Sequence, residues 1–425
     1  MRVDASRGAA GRFGVGSSTD GRLRGVSDPP SRPPLADLRV LELGSFIAGP
    51  FAGQLLGDLG AEVIKVEPPG TGDPMRGWGR TVDGRSLWWP AIARNKRSVA
   101  VDLRTDRGRD VVRALTAHVD VVIENFKPGT LARWGMDHAT LAAANPGLVL
   151  VHVSGFGQTG PRAHEPGFGA IGEAMGGVRH TTGDPDRPPS RAGISLGDAL
   201  AALFAVIGTL AAVNERHTSG RGQEVDVAIY EAVLALMEST VADFELGGVV
   251  RGRSGGYLPG VAPSNAYPTA DGRDVVIAAN ADAVFARLAV AMDRPDLAEP
   301  YASHAARAEG QQALDAEVAA WTATLTATDV LARLEEHSIP AGLINTAPDI
   351  AADDHIAARD MILRLAAGFA DAVPMAGVVP KLTRTPGSVR HVGPELGADT
   401  DAVLRELLGT APDALAVLRA DGVIV

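Results

Sequence analysis

Strands and helices alternate along the first half of the chain, and this alternation restricts the fold more than any other feature of the sequence. Residues 39–43 and 62–66 have the apolar pattern of strands, and the segment between them, 48–59, has helical spacing. Further strands are predicted at 98–103, 119–123, 148–153 and 223–228, with helices such as 108–117 and 136–144 between them. Strands joined by helices pair in parallel, so the sequence predicts an α/β fold with a doubly wound parallel sheet.

The chain has 425 residues, which is long enough for two domains. Residues 1–34 are rich in Gly, Arg, Ser and Pro and have no long apolar stretch, so we expect a disordered extension and not a secretory signal. Residues 35–224 are predicted to form the first part of a large domain, and 225–263 a linker. Residues 264–338 are predicted to form a small α+β domain, and 339–425 to return to the large domain.

Two features lie within these boundaries. The linker has the spacing of one apolar helix from residue 229 to about 245, followed by a glycine-rich loop at 246–263. In the small domain, a hairpin is predicted at 266–279, with its turn at Asp271-Gly272.

Composition excludes several classes of function. Forty basic and 51 acidic residues give a net charge of −11, which argues against nucleic acid or an anionic membrane as the main partner. The absence of cysteine excludes disulfides, thiolate metal sites and a cysteine nucleophile, and it is typical of a cytoplasmic protein. The apolar run 199–213 is expected to be too short and too rich in alanine to span a bilayer.

The motifs of several common enzyme classes are missing. The sequence has no Gly-x-Gly-x-x-Gly spacing after the first strand, no Walker loop and no Gly-x-Ser-x-Gly elbow. The histidines do not have metal-binding spacing, so we predict no metal site. A group of cations near predicted loops is suited to a phosphorylated ligand, although any one of them is more often a solvated surface residue: Lys65, Arg76, Lys96, Arg97, Arg104 and Arg133.

Asp198 lies directly before the apolar run 199–213, which has the composition of a buried helix. This position predicts that Asp198 caps the amino terminus of the helix, where free N–H groups and the helix dipole favour an ionised carboxylate. We therefore expect Asp198 to stay anionic at neutral pH, as a nucleophile must. Most acids in this position serve only as helix caps, so the remaining motifs decide between the two roles.

A series of motifs occurs in order along the chain: Leu35-Ala-Asp-Leu-Arg-Val-Leu-Glu-Leu, Ala48-Gly-Pro-Phe, Leu59-Gly-Ala-Glu-Val-Ile-Lys-Val-Glu, Gly72-Asp-Pro, Asn95-Lys-Arg-Ser, Val122-Ile-Glu-Asn-Phe-Lys-Pro-Gly and Thr218-Ser-Gly-Arg-Gly-Gln. Together they closely resemble the class III CoA-transferases, which include formyl-CoA:oxalate and carnitine CoA-transferases and the related α-methylacyl-CoA racemase. The resemblance covers residues 35 to about 231 and continues weakly toward residue 425.

The resemblance implies a set of site residues. Asp198 corresponds to the nucleophile of the family, which forms an aspartyl-CoA thioester during transfer. CoA, a co-substrate and not a tightly bound cofactor, would contact Phe46, Ile47, Ala48, Val101, Arg104, Asn125, Phe126, Arg133 and Phe168. Pro68 stands where formyl-CoA transferase has an arginine, so that part of the nucleotide contact differs here. Members of the family form intertwined homodimers, which implies the same assembly for this chain.

The resemblance leaves transfer and racemisation open, and one position favours transfer. The racemases use a histidine where this chain has Phe168, and a phenyl ring cannot carry a proton. His164 and His180 lie nearby in the sequence and keep racemisation as an alternative, and a non-catalytic acyl-CoA binding protein is a third. The segment 167–177 resembles the branch that handles succinate and malate, so Arg179 or Arg191 is a candidate for binding a distal carboxylate, although a structural ion pair is the commoner role. The predicted donor is therefore succinyl-CoA or another short dicarboxyl-CoA.

Overall fold

A six-stranded parallel sheet forms the centre of the structure and positions the loops of the candidate site. The computed structural model describes residues 32–425. The disordered extension predicted for residues 1–34 therefore lies, up to residue 31, outside the described residues.

The first part of the described chain alternates strands and helices. Its strands are β1 (Arg39–Glu42), β2 (Glu62–Glu67), β3 (Thr81–Val82), β4 (Arg85–Ser86), β5 (Lys96–Ala100), β6 (Val121–Glu124), β7 (Val149–Ser154) and β8 (Glu224–Ala228). Its helices are α1 (Ala48–Asp58), α2 (Trp89–Ile92), α3 (Asp106–Thr116), α4 (Thr130–Arg133), α5 (His138–Ala144), α6 (Gly169–Met175), α7 (Val178–Thr181) and α8 (Leu196–Ser219).

The second part is mainly helical. Its helices are α9 (Ile229–Leu234), α10 (Thr240–Gly247), α11 (Asp282–Ala291), α12 (His304–Glu309), α13 (Gln311–Thr322), α14 (Ala327–Glu336), α15 (Ala347–Ala352), α16 (Asp354–Ala358), α17 (Thr400–Leu408) and α18 (Pro412–Ala420). Its strands are β9 (Ser264–Pro268), β10 (Asp274–Ala278), β11 (Ala341–Leu343), β12 (Ile362–Ala367) and β13 (Ala370–Ala376).

The large sheet has the strand order β5-β2-β1-β6-β7-β8, and neighbouring strands are parallel throughout. Helices cover both faces because the buried strands are apolar on both sides: Val40 belongs to the core beneath α1 and α8, and its neighbour Leu41 to the core beneath α3 and α17. This confirms the predicted α/β fold. The strand order reverses between β1 and β6, and the carboxyl ends of these two strands mark the point where ligands bind in such sheets.

Helix α8 differs from its sequence prediction at both ends. It begins at Leu196 and ends at Ser219, and Ser195 is the capping position, so Asp198 lies inside the first turn and does not cap the helix. Leu196 and Gly197 adopt helical geometry before the acid, which moves the start toward the amino terminus. By length and composition alone the whole of α8, which is longer than the run 199–213, could cross a membrane, and the expectation drawn from that shorter run stays a prediction. In the structure, one face of α8 packs on the sheet, where Ala201 and Ala205 are buried.

The predicted helix 229–245 is wrong as one element, because the chain breaks it into α9 and α10. Glu238 between them has a φ angle of 51°, in the left-handed region that interrupts a right-handed helix. Between Gly248 and Pro263 no helix or strand forms.

A small antiparallel sheet has the order β11-β10-β9, and β9 and β10 form the predicted hairpin. Gly272 in its turn has a φ angle of 74°, which explains the need for glycine there. Strand β11 pairs with β10 although it lies in the segment predicted to return to the large domain. The predicted return to the large domain at residue 339 is therefore wrong for β11, because Ala341 pairs with Ile277, a residue buried in the core of the small sheet.

The carboxyl-terminal helices α17 and α18 pack on the core of the large sheet, where Val403 and Leu415 are buried beside Leu41. Beyond them, Ile424 forms a bridge to Val101, and Asp102 donates its backbone N–H to Val423 at 2.9 Å. Residues from the far end of the chain therefore complete the sheet edge next to β5.

Candidate active site

A cavity of about 480 Å³ opens at the carboxyl ends of strands β1, β2, β5 and β6. It is lined by the carboxyl end of β2, by the loops that follow these strands and by the turn after α4: Leu43, Gly44, Ser45, Lys65, Val66, Glu67, Pro68, Pro69, Thr71, Gly72, Asp73, Pro74, Val101, Asp102, Leu103, Arg104, Phe126 and Trp134. The cavity thus lies at the reversal of strand order, where the geometry of a doubly wound sheet leaves a crevice. Its size is in the range of pockets that hold a small molecule or cofactor.

Buried charges support the floor of this cavity. Lys65 Nζ lies 2.9 Å from Glu42 Oε1 and 2.8 Å from Asp73 Oδ2, and it donates to the Gly44 carbonyl at 2.9 Å. Burial acts to lower the pKa of Lys65, but the charges of Glu42 and Asp73 outweigh it and raise the pKa. Lys65 therefore stays charged and ties the end of β2 to the loop after β1.

The other predicted cations have mostly structural partners. Arg76 bonds both oxygens of Glu67, and Arg97 bonds Glu62 and Glu406. Lys96 is buried and donates to the carbonyl of Pro50 at 2.6 Å, and burial lowers its pKa to about 8. Among the predicted cations, Lys65 and Arg104 line the cavity in the part of the chain that the structure describes.

The residues predicted to contact CoA fall into three groups. Val101, Arg104 and Phe126 line the cavity. Asn125, Phe46, Ile47 and Ala48 belong to its rim: Asn125 bonds the backbone of Ser45, and the other residues continue the same loop into α1.

The third group lies away from the lining. Arg133 is exposed and donates to Thr130 Oγ1 at 2.8 Å, although the next residue, Trp134, reaches the cavity. Phe168 does not line it either. It directly precedes α6, which packs against α9 through Gly172 and Ile229. The side chain of Phe168 is 71% exposed.

Asp198 occupies a second, closely packed place at the junction of α6 and α8. Gly169, the first residue of α6, approaches so closely that a methyl group on it would overlap the Asp198 carboxylate. Phe168 directly precedes Gly169, the residue that contacts Asp198. His164 and His180 are both exposed.

The carboxyl group of Asp198 is harder to ionise than the sequence predicts. Burial, together with the nearby charge of Glu173, raises its pKa to about 6, and Arg191 acts in the opposite direction. The acid still ionises below neutral pH, so the prediction of an anion at neutral pH agrees with this value. The expected stabilisation by a capping position is wrong, because Asp198 lies within the turn and is partly shielded from water.

A sequence profile for CoA-transferase family III matches residues 35–400 of the chain. The chain belongs to this family. Succinyl-CoA–D-citramalate CoA-transferase of Chloroflexus aurantiacus is 55% identical over 401 residues, covering 94% of this chain and 100% of the relative. The alpha subunit of succinyl-CoA–L-malate CoA-transferase from the same organism is 39% identical over 412 residues, covering 94% of this chain and 96% of the relative.

A crystal structure supports the same assignment. The CaiB/BaiF family protein of Brucella suis superposes with a TM-score of 0.79 at 35% identity, covering 89% of this chain and 100% of that chain. The protein is therefore a CoA-transferase, as the motifs predicted. Within residues 32–425, no cluster of three or more histidine and acidic side chains has the arrangement of a metal site.

Sequence reasoning did not identify two residues of this CoA-transferase site. Trp134 lines the cavity four residues after Thr130, on a turn that follows the predicted CoA segment. Glu173 is 1% exposed and lies next to Asp198. It belongs to the glycine-rich segment 167–177, whose resemblance to the succinate and malate branch gave no role to any single residue. A single acid among glycine, alanine and isoleucine residues was the signal available for it.

Proposed function

We propose that this CoA-transferase moves CoA from succinyl-CoA to a short dicarboxylic acid, such as D-citramalate, through an aspartyl-CoA thioester at Asp198. The observation that carries the proposal is the place of Asp198, a partly buried carboxylate pressed against the backbone of Gly169 in the first turn of α8. The substrates are suggested by the relative with 55% identity, whose name gives succinyl-CoA and D-citramalate.

The chemistry proceeds without a metal or a redox step. The Asp198 carboxylate attacks the thioester carbonyl of succinyl-CoA, giving a mixed anhydride and releasing CoA thiolate. The thiolate attacks the aspartyl carbonyl of the anhydride, forming aspartyl-CoA and free succinate. The acceptor carboxylate then attacks aspartyl-CoA, and the released thiolate attacks the acceptor carbonyl to give the product thioester and regenerate the Asp198 carboxylate.

The cavity at the sheet edge is suited to the nucleotide part of CoA. Val101, Phe126 and Trp134 offer apolar and aromatic surface, and Arg104 offers a guanidinium that is 82% exposed at the rim. A phosphate takes charge-assisted hydrogen bonds from such a group. Helix α1 begins at this rim and packs against α8, the helix that carries Asp198.

Arg191 is the better candidate for binding the second carboxylate of the acids. Arg179 donates from Nε to Glu173 at 2.7 Å, which gives it the structural role expected of most such arginines. Arg191 is exposed, and its charge acts on Asp198. A guanidinium beside the reacting carboxylate favours a substrate with a second negative charge over an uncharged acyl chain.

We also propose a homodimer. On α8, the apolar side chains of Leu203 and Ile207 lie one turn apart and are 45% and 60% exposed. On α10, Phe244 and Leu246 are 59% and 90% exposed. Large exposed apolar side chains are typical of surfaces that pack against another subunit. Light scattering at micromolar concentration should give twice the chain mass, and a stable monomer would contradict the dimer.

Trapping with hydroxylamine tests the nucleophile. Protein incubated with succinyl-CoA and hydroxylamine should carry a hydroxamate at Asp198, detected by peptide mass spectrometry, because hydroxylamine attacks the anhydride or thioester carbonyl. Asp198→Asn should lose both labelling and transfer, whereas Asp186→Asn, an exposed aspartate in the preceding loop, should keep them. Transfer at the normal rate by Asp198→Asn would exclude the mechanism. CoA binding without any label in the wild-type protein would indicate a binding protein.

A substrate matrix tests the specificity. Succinyl-CoA and uncharged acyl-CoA donors should be combined with D-citramalate, malate, glutarate and monocarboxylate acceptors, and the thioester products separated by chromatography. We expect turnover with dicarboxylates, and a strong loss of it in Arg191→Gln. Preference for long monoacyl chains would contradict the proposed substrates while leaving Asp198 as nucleophile. Deuterium exchange at the α-carbon without transfer would assign the protein to the racemases.

A further inference from the structure

Glu173 is a buried carboxylate directly behind the nucleophile. It lies on α6, is 1% exposed, and uses its two oxygens separately. Oε1 accepts the backbone N–H of Gly197 at 3.2 Å, and Oε2 accepts Arg179 Nε at 2.7 Å. Gly197 is the residue before Asp198, so Glu173 contacts the turn that carries the nucleophile.

A carboxylate is an expensive group to bury at this place. Removing a charge from water costs several kcal/mol unless partners compensate for it, and a neutral side chain of the same shape avoids that cost. One of the two partners of Glu173 is neutral, and the other, Arg179, has a side chain that is 24% exposed. The buried charge of Glu173 is therefore compensated by a single, partly exposed cation, Arg179.

The effect of this charge falls on Asp198. Glu173 from α6 repels the negative charge of the Asp198 carboxylate, and Arg191 from the loop before α8 attracts it. Burial adds to the repulsion, and the pKa of Asp198 rises to about 6.

We propose that Glu173 is a positioning residue that destabilises the free Asp198 carboxylate relative to its covalent adducts. The proposal rests on the nucleophilic role of Asp198 given above. When Asp198 attacks a thioester, its negative charge leaves with the CoA thiolate, and the aspartyl group is neutral in the anhydride and in aspartyl-CoA. Repulsion by Glu173 is present before the attack and absent in both adducts. Its charge therefore favours formation of the adducts and makes Asp198 a more basic, stronger nucleophile.

Three variants separate charge from shape. Glu173→Gln keeps the length of the side chain and removes the charge. Glu173→Asp keeps the charge and shortens the side chain. Glu165→Gln is the matched control, because Glu165 is an exposed acid paired with Arg162 in the loop before α6. Two quantities are measured with succinyl-CoA: the pH dependence of kcat/KM, and the fraction of protein that carries CoA in mass spectra of the intact chain. Thermal unfolding shows that each variant is folded.

The wild-type protein should lose kcat/KM as the pH falls through about 6, where Asp198 becomes protonated. In Glu173→Gln this acid limb should move to lower pH by about one unit, a typical effect of one neighbouring charge, while kcat above pH 7 falls and less of the protein carries CoA. Glu173→Asp and Glu165→Gln should keep the wild-type limb. If the role of Glu173 were purely structural, Glu173→Asp would lose at least as much activity as Glu173→Gln. The pH at which kcat/KM falls would then be the same in both variants as in the wild-type protein.

The proposal would be overturned if kcat/KM of folded Glu173→Gln fell at the same pH as that of the wild-type protein. It would also be overturned if Glu173→Asp shifted this pH as much as Glu173→Gln does. Should Glu173→Gln fail to fold, Arg179→Gln decides: it removes the cation paired with Glu173, so the acid limb should move to higher pH, and a limb at the wild-type pH would overturn the proposal. Failure of the proposed function gives a different result, because the wild-type protein would then carry no CoA at Asp198 at any pH.

Discussion

The side chain of Asn125 binds both backbone polar groups of Ser45. Its Oδ1 accepts the Ser45 N–H at 2.8 Å, and its Nδ2 donates to the Ser45 carbonyl at 2.8 Å. The two residues follow β6 and β1, the strands between which the sheet order reverses. This pair of hydrogen bonds fixes the two loops of the cavity rim to each other.

We therefore expect Asn125→Ala to loosen the rim. Loss of two hydrogen bonds, each contributing about 1 kcal/mol, should lower the stability measurably and weaken CoA binding by about tenfold. Isothermal titration with CoA and thermal unfolding measure the two effects. Asn145→Ala is the control, because Asn145 likewise makes two hydrogen bonds to the backbone, donating to the carbonyls of Thr116 and Val119, but belongs neither to the lining nor to the rim of the cavity. Unchanged CoA affinity in Asn125→Ala would contradict this role.

Arg104 should bind a phosphate group of CoA. It forms an ion pair with Asp102, but its side chain is 82% exposed, so the ligand can reach it. Arg104→Gln should weaken CoA binding by about fivefold, the effect of one solvent-exposed charged hydrogen bond, and should make the affinity less sensitive to salt. Arg107→Gln changes a neighbouring exposed ion pair with Asp421 and should leave the affinity as it is. Equal losses in the two variants would indicate a general charge effect.

Asp198 should reduce the stability of the protein at neutral pH. Its pKa is raised from 3.8 to about 6 in the folded chain, so the folded state holds this proton more tightly than the unfolded state does. Its contribution to stability is then complete below about pH 4 and is lost as the pH rises through about 6. Asp198→Asn should be more stable than the wild-type protein at pH 8, by on the order of 1–2 kcal/mol, and equally stable near pH 4.

Urea unfolding across this pH range is the measurement. Asp137→Asn should give the opposite sign, because Asp137 caps α5, and its hydrogen bonds from the backbone and side chain of Thr140 lower the pKa of its carboxyl group. That variant should be less stable than the wild-type protein at pH 8. A loss of stability at pH 8 in Asp198→Asn would show that the carboxylate is stabilised in the fold.

Gly169 should tolerate no side chain. A methyl group added there would overlap the Asp198 carboxylate, so Gly169→Ala should displace the nucleophile and reduce kcat by about a hundredfold, the effect expected from misplacing a reacting group by about 1 Å. Gly193→Ala, in the loop before α8, meets no atom within 4 Å and should keep its activity. Steady-state kinetics beside circular dichroism distinguish lost geometry from lost folding, and an active Gly169→Ala would place Asp198 elsewhere.

The sequence predicted the large sheet well because buried parallel strands are marked by local composition. Val40 and Leu41, or Val63 and Ile64, are apolar in pairs, which identifies a strand covered on both faces. The hairpin turn at Gly272 was equally local, since its left-handed backbone conformation requires glycine. The break at Glu238 was not foreseen, because nothing in its neighbours forbids a continuous helix.

The candidate site was predicted less completely, since its electrostatics depend on tertiary contacts. The motifs gave Asp198 and three residues that line the cavity, Val101, Arg104 and Phe126. The raised pKa of Asp198 comes from burial and from Glu173, 25 positions earlier, which only the packing of α6 on α8 brings close. In the same way, the sequence cannot tell that Arg179 is paired and Arg191 exposed. Strand β11 was assigned to the wrong part because a segment of three residues carries almost no pattern.

The closure of the β5 edge by residues from the far end of the chain has a consequence for biosynthesis. The backbone N–H of Ala100 donates to Thr400 Oγ1, which lies 300 positions later in the chain, and Val101 pairs with Ile424. At translation rates of 5–20 residues per second, β5 leaves the ribosome roughly 15 to 60 s before these partners are made. During that time the strand edge beside the cavity is unprotected, and such edges pair readily with other chains. The nascent chain is therefore most prone to aggregation in the interval before its carboxyl-terminal helices dock.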